Sequence, residues 1–266
     1  MGKKSNFSKL SKDEMLEVDE WREGKNIVKM ENAYTINRKL LNYKIDFKAK
    51  NKKQKEYYKL IKQKDIVFSS GEAGTGKSYC CLAAALELLR EDNQYKKIMI
   101  VTPTVEAGNM SIGFLKGTKE EKIQPYLDAD YYTMEKILNE SKNDLPGKKI
   151  VEELVKSGMI VGECISFMRG KTLDNMIVII TEAENFSKQE LFLLLSRIGN
   201  SKYIFNGDIK QIDRKDIIKT GAKSGLEYAE ERLKGMDEIG FCHFGKEDIV
   251  RNPIITKIMD KWFDEQ

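Results

Sequence analysis

The feature that most constrains the fold is the octapeptide at residues 71–78, Gly-Glu-Ala-Gly-Thr-Gly-Lys-Ser. It fits the pattern G-x-x-x-x-G-K-[ST], and it lies between a short apolar run, 65–70, and an Ala/Leu-rich segment, 77–90. Glycines at these spacings let backbone N–H groups curl around a phosphate group at the start of a helix. The sequence therefore predicts a strand, a phosphate-binding loop and a helix, in that order. A glycine-rich turn that only caps the helix is the alternative.

Each position of this loop has a predicted role toward a nucleotide. The side chain of Lys77 reaches the β- and γ-phosphates, and the Ser78 hydroxyl binds Mg²⁺. The remaining loop residues surround the phosphates with their backbone, and they are Gly71, Glu72, Ala73, Gly74, Thr75 and Gly76. The chain is therefore expected to bind ATP together with Mg²⁺.

Strand and helix patterns alternate after residue 65. Further strands are predicted at 97–102, 165–167, 176–180, 203–205 and 239–244, and further helices at 131–142, 148–156, 189–198, 226–234 and 255–263. Such alternation, with right-handed crossovers, predicts an α/β fold with a mostly parallel sheet and helices on both faces. Residues 1–50 lack the alternation, and we interpret them as a basic N-terminal arm or small cap that precedes a domain at 51–266.

Histidine and cysteine usage excludes several kinds of site. A single histidine, His243, and four cysteines without C-x-x-C spacing argue against a Ser-His-Asp triad, a histidine-ligated metal and structural zinc. His243 is expected on a buried strand, in a structural role. No run of about 18 apolar residues occurs, and the first residues lack a secretory apolar stretch. We therefore expect a cytoplasmic protein without a membrane-spanning segment.

Acidic residues follow the predicted strand 176–180. Thr181 stands where an aspartate ordinarily orients the waters of Mg²⁺, and Glu182 stands where hydrolytic enzymes of this kind place the base that polarises water. We therefore predict Ser78, Thr181 and Glu182 at the metal. The neutral Thr181 weakens the metal site unless Glu182 or Glu184 compensates. The alternative is that these acids only cap the following helix.

The turn at 206–213 follows the next predicted strand and carries Asp208 and Gln211. In a parallel sheet such a turn lies at the carboxyl edge, where ligands bind. Gln211 is therefore predicted to sense the γ-phosphate. By itself, however, Gly-Asp is a common turn, so this prediction depends on the phosphate loop.

The net charge of +4 is small, but it is unevenly distributed. Residues 1–65 carry a net charge of +8, and the segment Arg38–Lys64 contains 11 basic and 2 acidic residues. A solvated lysine face and a surface that binds phosphate groups are both compatible with such a segment.

Taken together, these motifs resemble those of the PhoH-like family. The residues that carry the resemblance are Gln54, 71–78, 103–108, 113–117, 167–172, 181–185, 197–199, 207–213 and 249–253. The resemblance implies a RecA-like P-loop NTPase fold over 51–266, similar to the first motor domain of superfamily 1 helicases. It also implies ATP hydrolysis and assembly into a homo-oligomeric ring, with a hexamer favoured.

The resemblance assigns roles to further residues. Gln54 is expected to read the adenine. Arg197 and Arg251 match family arginines, and either one is a candidate to approach the γ-phosphate of a neighbouring subunit as an arginine finger. A surface ion pair is the alternative for each arginine. Arg169 and Lys171, with the Arg38–Lys64 stretch, are expected to face single-stranded RNA or DNA.

Three positions depart from the family pattern: Thr181 replaces an aspartate, Glu184 a glutamine and Thr102 a basic residue. Three functions therefore remain open. The first is an ATPase that acts on single-stranded RNA or DNA through a site completed between subunits. The second, motivated by Thr181, is an ATP-dependent binding or assembly switch with little or no hydrolysis. The third is a kinase that phosphorylates a small molecule.

Overall fold

A parallel sheet forms the centre of the protein. The structure is a computed structural model that describes residues 38–103, 119–168, 170, 172–251, 254, 257 and 261. Its strands are β1 Ile66–Gly71, β2 Lys97–Thr102, β3 Ile160–Cys164, β4 Met176–Ile180, β5 Lys202–Asn206 and β6 Ile239–Phe244. Across the sheet their order is β3-β2-β4-β5-β1-β6, and every pairing is parallel. The predicted α/β fold is confirmed.

Helices cover both faces of this sheet. They are α1 Lys52–Gln63, α2 Lys77–Glu91, α3 Lys119–Glu140, α4 Gly147–Lys156, α5 Lys188–Leu195, α6 Lys215–Thr220 and α7 Gly225–Leu233. The chain moves from β1 to β2 to β3 in one direction across the sheet, and from β4 to β5 to β6 in the other. Because parallel crossovers are right-handed, α2, α3 and α4 lie on one face, and α5 and α7 lie on the other.

The core is built around the strands that precede the phosphate loop and the turn at 206–213. Phe68 of β1 stacks on Phe205 of β5, with ring centroids 4.5 Å apart, and on Phe241 of β6, with centroids 5.1 Å apart. These phenylalanines lie opposite one another in the strand register. The stack therefore fixes β1 between two neighbours just below the loop.

Contacts divide the chain into two units, Met1–Asn42 and Tyr43–Gln266. In the first unit the described part contains a 3₁₀ turn, Arg38–Leu41. In the second, the Tyr43 hydroxyl donates to the carbonyl oxygen of Leu86, and the amide of Asp46 donates to the Ser141 hydroxyl. Residues 43–50 are thus attached to the domain that contains the sheet. The division at residue 50 stays a prediction.

Two predicted elements differ in the structure, and two helices, α1 and α6, were not predicted. Residues 165–167 form a 3₁₀ turn, and the strand of this region is β3, five residues earlier. Helix α3 begins at residue 119 rather than 131, and α1 was not predicted because lysines interrupt its apolar pattern. Of the predicted helix 255–263, only Lys257 and Lys261 are described, and both are helical.

Among the helices of the described residues, none combines the length and the apolar character that crossing a membrane requires. The cytoplasmic location expected from the sequence stays a prediction.

Helix α2 provides a test of the core. Leu89 is fully buried, whereas Ile218 on α6 is 58% exposed. Leu89→Ala should lower the free energy of unfolding by about 2–5 kcal/mol, because the cavity that it leaves does not fully collapse. Ile218→Ala should change it by no more than about 0.5 kcal/mol. Urea denaturation measures both values, and equal effects would contradict the assigned packing of α2.

Candidate nucleotide-binding site

A cavity of about 1230 Å³ opens at the carboxyl edge of the sheet. It is lined by residues from separate segments that the sequence analysis singled out, namely Gln54, Ala73, Gly74, Gly76, Lys77, Ser78, Thr181, Glu182, Gln211 and Arg251. These segments follow the carboxyl ends of β1, β4, β5 and β6 or precede β1. The parallel sheet therefore gathers the predicted nucleotide-binding residues in one place.

The phosphate loop depends on glycine at three of its positions. Gly71, Gly74 and Gly76 have φ angles of +130°, +85° and +87°, which other residues rarely adopt. A Cβ at Gly71 would lie 2.0 Å from the carbonyl oxygen of Phe244. At Gly76 it would lie 2.6 Å from Nε2 of Gln54. The backbone is thus closely surrounded, and no side chain caps the start of α2. This cradle of unbonded amides fits a phosphate group.

Lys77 lies across the loop. Its Nζ donates to the carbonyl oxygens of Gly71, at 2.5 Å, and of Glu72, at 2.9 Å. Burial lowers the pKa of Lys77, while the carboxylates of Asp208, Glu184, Glu182 and Glu72 act in the opposite direction. The ammonium group is therefore partly desolvated, so its attraction to a phosphate is stronger than in water.

Glu72 ties the loop to the turn after β5. Its side chain is only 9% exposed, and Oε1 accepts a hydrogen bond of 2.5 Å from Nζ of Lys210. The Thr75 hydroxyl donates to the carbonyl oxygen of Glu72, which holds the loop in shape. Neither Glu72 nor Thr75 lines the cavity, so both support the loop rather than contact its ligand.

Gln54 joins α1 to the loop. Its Oε1 accepts from the amide of Lys50, at 2.8 Å, and its Nε2 donates to the carbonyl oxygen of Thr75, also at 2.8 Å. The side chain is buried and lines the cavity. This position is compatible with a contact to a base, but the role of Gln54 in reading adenine stays a prediction.

Glu182 has an unusual backbone conformation. Its φ and ψ angles of 52° and 45° are left-handed, which is uncommon for a residue with a long side chain. The side chain is exposed to the cavity beside Thr181, whose amide donates to the carbonyl oxygen of Val101. The strand end therefore presents one carboxylate and one hydroxyl to the cavity.

Glu184 does not line the cavity. It is fully buried, and its Oε2 accepts a hydrogen bond of 2.9 Å from the amide of Asp208. Burial, followed by the hydrogen bond with Glu182 and the charge of Glu182, raises the pKa of Glu184 well above that of an ordinary carboxyl group. The surroundings therefore favour the uncharged form, which has the shape of a glutamine. Glu184 is thus behind the cavity wall, and the expectation that Glu182 or Glu184 compensates for Thr181 stays a prediction.

Gln211 reaches the cavity from a 3₁₀ turn, Ile209–Gln211. Its Nε2 donates to Oδ2 of Asp208, at 3.0 Å, while Oδ1 of Asp208 accepts from the amide of Lys210. Asp208 thus orients the Gln211 amide and leaves its Oε1 available for a donor.

The two candidate arginines lie at opposite edges of the sheet. Arg251 lines the cavity of its own chain, where its Cδ would lie 2.9 Å from a Cβ on Gly74. Arg197 precedes β5, and its carbonyl oxygen accepts from the amide of Leu173, which precedes β4. Arg197 is therefore at the amino edge, away from its own cavity. Its buried Nε has no hydrogen-bond partner within the described ranges.

Carboxylates neutralise only part of the positive charge of the basic segment Arg38–Lys64. Lys53 pairs with Glu56, and Lys62 pairs with Glu87 and Glu91. Lysines 52, 55 and 59 form an exposed stripe along α1, and no carboxylate of the described residues pairs with them. Arg169 and Lys171 lie outside the described residues.

Sequence reasoning missed the contribution of α3. Asp130 lines the cavity although it is only 8% exposed. Burial, and then the charge of Glu182, raises the pKa of Asp130 to about 7. The Thr102 hydroxyl, at the end of β2, also lines the cavity and has no partner among the described residues. No motif marked Asp130, because packing rather than a local pattern places it at the cavity, and Thr102 was noted only as a departure from the basic residue of the family pattern.

The expected burial of His243 is wrong. Its side chain is 66% exposed, because β6 is an edge strand and His243 points out of the core. Nδ1 of His243 lies 2.5 Å from the hydroxyl of Ser70, which donates to Oε1 of Glu230 at 2.8 Å. Since Ser70 is fully buried, it is not accessible as a nucleophile.

Solved structures with some similarity are Pif1 helicases. The Pif1 helicase of Candida albicans is 14% identical, with a TM-score of 0.36 over 74% of this chain and 40% of that chain. Pif1 of Bacteroides bound to ssDNA is 13% identical, with a TM-score of 0.33 over 81% of this chain and 46% of that chain.

Sequence comparisons give closer relatives. A PhoH-like protein of Bacillus subtilis is 38% identical over 82% of this chain, and protein PhoH of Escherichia coli is 32% identical over 79% of it. The chain covers 64% and 56% of these relatives, less than two thirds of their length. A model of the family described as PhoH-like protein matches residues 46–262. This match spans the loop, the strand end at Glu182 and the turn at Gln211, and the chain belongs to the PhoH-like family.

Proposed function

We propose that the protein binds ATP with Mg²⁺ and hydrolyses it, acting on or with single-stranded RNA or DNA. The observation that carries this proposal is the position of Glu182. Its carboxylate faces the same cavity as Lys77 and Ser78 and is held there by a left-handed backbone. Strained residues of this kind persist where the surrounding structure requires them, and they cluster at active sites.

The residues of the cavity divide the reaction between them. The loop amides and Lys77 bind the β- and γ-phosphates, and the Glu182 carboxylate accepts the proton of the attacking water. Gln211 orients that water or contacts the γ-phosphate, in a direction set by Asp208. The Ser78 hydroxyl would hold Mg²⁺ beside Thr181 and Glu182, and the bound ion supplies positive charge to the phosphates.

The site is completed between subunits in this proposal. Arg197 lies at the edge of the sheet opposite the cavity, so it cannot serve the nucleotide of its own chain. In a head-to-tail ring, the amino edge of one chain meets the carboxyl edge of the next. Arg197 then approaches the γ-phosphate of the neighbour, whereas Arg251 serves its own chain. A hexameric ring is the assembly that we propose.

The stripe formed by lysines 52, 55 and 59 is the proposed contact for a single strand, together with Arg169 and Lys171. Unpaired lysines in a row can follow the phosphates of a nucleic acid backbone without reading its sequence. The lysines with carboxylate partners contribute less, because their charge is already compensated.

A second candidate function is an ATP-dependent assembly switch with little hydrolysis. The observation that favours it is Thr181, which presents a neutral hydroxyl to the cavity. Binding of ATP depends mainly on the loop and Lys77. The absence of an aspartate at position 181 would therefore reduce turnover more than nucleotide binding.

Steady-state phosphate release distinguishes the two functions. Glu182→Gln should lower the rate at least about 100-fold while ATP still binds, because the general base is lost. Lys77→Ala should abolish both binding and turnover. Glu152→Gln, on the exposed face of α4, is the matched control and should leave the rate unchanged. Release should increase with single-stranded RNA or DNA. If the wild-type protein binds ATP but releases phosphate no faster than Lys77→Ala, the ATPase is contradicted and the assembly switch is supported.

The glycine at position 76 gives a test of the cradle. Gly76→Ala should weaken ATP binding more than about 10-fold, because the new Cβ collides with Gln54. Gly158→Ala is the control, since Gly158 also has a positive φ, +72°, but its Cβ would meet nothing within 4 Å. Calorimetric titration with ATP measures both. Equal affinities for the two variants would argue against binding at this loop.

Mixing experiments test the shared site. Arg197→Ala and Glu182→Gln should each be inactive alone, since an arginine finger contributes about 10³-fold or more. Mixed in equal amounts, the two variants should recover roughly a quarter of the wild-type rate. In a randomly mixed head-to-tail ring, that share of the sites has an intact Glu182 in one subunit and an intact Arg197 in its neighbour. No recovery would contradict a shared site. Light scattering that shows only monomer with ATP and Mg²⁺ would contradict the ring.

A further inference from the structure

The acids at the carboxyl edge are mostly committed to other groups. Glu184 is buried and bonded to the amide of Asp208, and the Asp208 carboxylate accepts from Lys210 and Gln211. Glu72 is paired with Lys210. Glu182 and Asp208 are the acids of these strand-end segments that line the cavity, and Thr181 beside Glu182 carries no charge. Each oxygen of Asp208 already accepts a hydrogen bond, so a metal held by Ser78 relies on Glu182 among these acids.

Asp130 supplies a second carboxylate from a different element. It lies in the middle of α3, lines the same cavity as Ser78 and Glu182, and is 8% exposed. No residue in the described part of the chain donates a hydrogen bond to it or forms an ion pair with it. Burial of a carboxylate without a partner is costly, so its presence at this position points to a cation as its partner.

Asp130 shares the cavity with the residues predicted at the metal. Ser78, at the start of α2, and Glu182, after the end of β4, line the same cavity. Asp130 also interacts electrostatically with Glu182 and with Cys81, which lies one helical turn after Ser78.

We propose that Asp130 holds the waters of Mg²⁺ together with Ser78 and Glu182, and so replaces the strand-end aspartate that is absent at Thr181. This inference rests on the proposed binding of ATP with Mg²⁺. Mg²⁺ characteristically uses one or two carboxylates, several waters and substrate phosphates. The described residues contain no group of three acidic, histidine or cysteine side chains placed to hold a metal ion.

The test uses the full chain and the non-hydrolysable analogue AMP-PNP, so that binding is measured apart from turnover. Calorimetric titration in Mg²⁺ and in EDTA gives the gain in affinity due to the metal. Asp130→Asn should reduce this gain about 10-fold or more, as removal of groups that orient metal ligands does, and leave the affinity in EDTA unchanged. Asp128→Asn is the matched control, because Asp128 is exposed on the same helix and accepts from Gln124. It should behave as wild type.

A second variant tests replacement directly. The double variant Thr181→Asp, Asp130→Asn should recover the Mg²⁺-dependent gain in AMP-PNP affinity, because it has a carboxylate at the end of β4. If Asp130→Asn does not fold, Asp130→Ser, which is smaller, serves in its place.

The outcomes separate this inference from the proposed function. An unchanged gain in Asp130→Asn, or an equal loss of affinity in Mg²⁺ and EDTA, would overturn the role of Asp130 while ATP binding stands. Wild-type protein that binds AMP-PNP in neither condition would overturn the proposed function and this inference together.

Discussion

The close approach of remote segments to the phosphate loop is the constraint on which the site depends. Gly71 touches the carbonyl of Phe244, Gly74 lies against Arg251, and Gly76 lies against Gln54. These contacts bring the start of α1, the end of β6 and the segment after it around one loop. A Cβ at Gly71 would collide with the backbone of β6, whereas at Gly74 and Gly76 it would meet the side chains of Arg251 and Gln54. The glycines thus shape the surroundings of the loop as well as its backbone.

The parts of the site that the sequence predicted are those with a local signal. The loop, Glu182 and Gln211 follow strands whose apolar runs are evident, and parallel strands end at one edge. Asp130 had no such signal, because α3 is polar in its first half, contains Pro125 and reaches the cavity only through tertiary packing. In α1, the buried positions Gln54, Tyr57 and Ile61 recur at helical spacing, but lysines between them concealed the pattern.

The two arginines show how chain order determines what a residue can reach. A loop between a helix and the next parallel strand lies at the amino edge, and a loop after a strand lies at the carboxyl edge. Arg197 belongs to the first kind and Arg251 to the second. The resemblance to a family suggested the same role for both arginines, because a sequence motif does not show at which edge of the sheet a residue lies. The strand order places Arg197 at the amino edge and Arg251 at the carboxyl edge.

The contact between Glu72 and Lys210 has a consequence for how the site responds to its ligand. Lys210 is 65% exposed, so this ion pair contributes no more than about 1 kcal/mol. It joins the phosphate loop to the turn that carries Gln211, yet it can be exchanged at little cost. The paired strands beneath them hold the loop and the turn together, since the amide of Gly207 donates to the carbonyl oxygen of Ser69. The Glu72–Lys210 pair can therefore open without breaking any strand pairing.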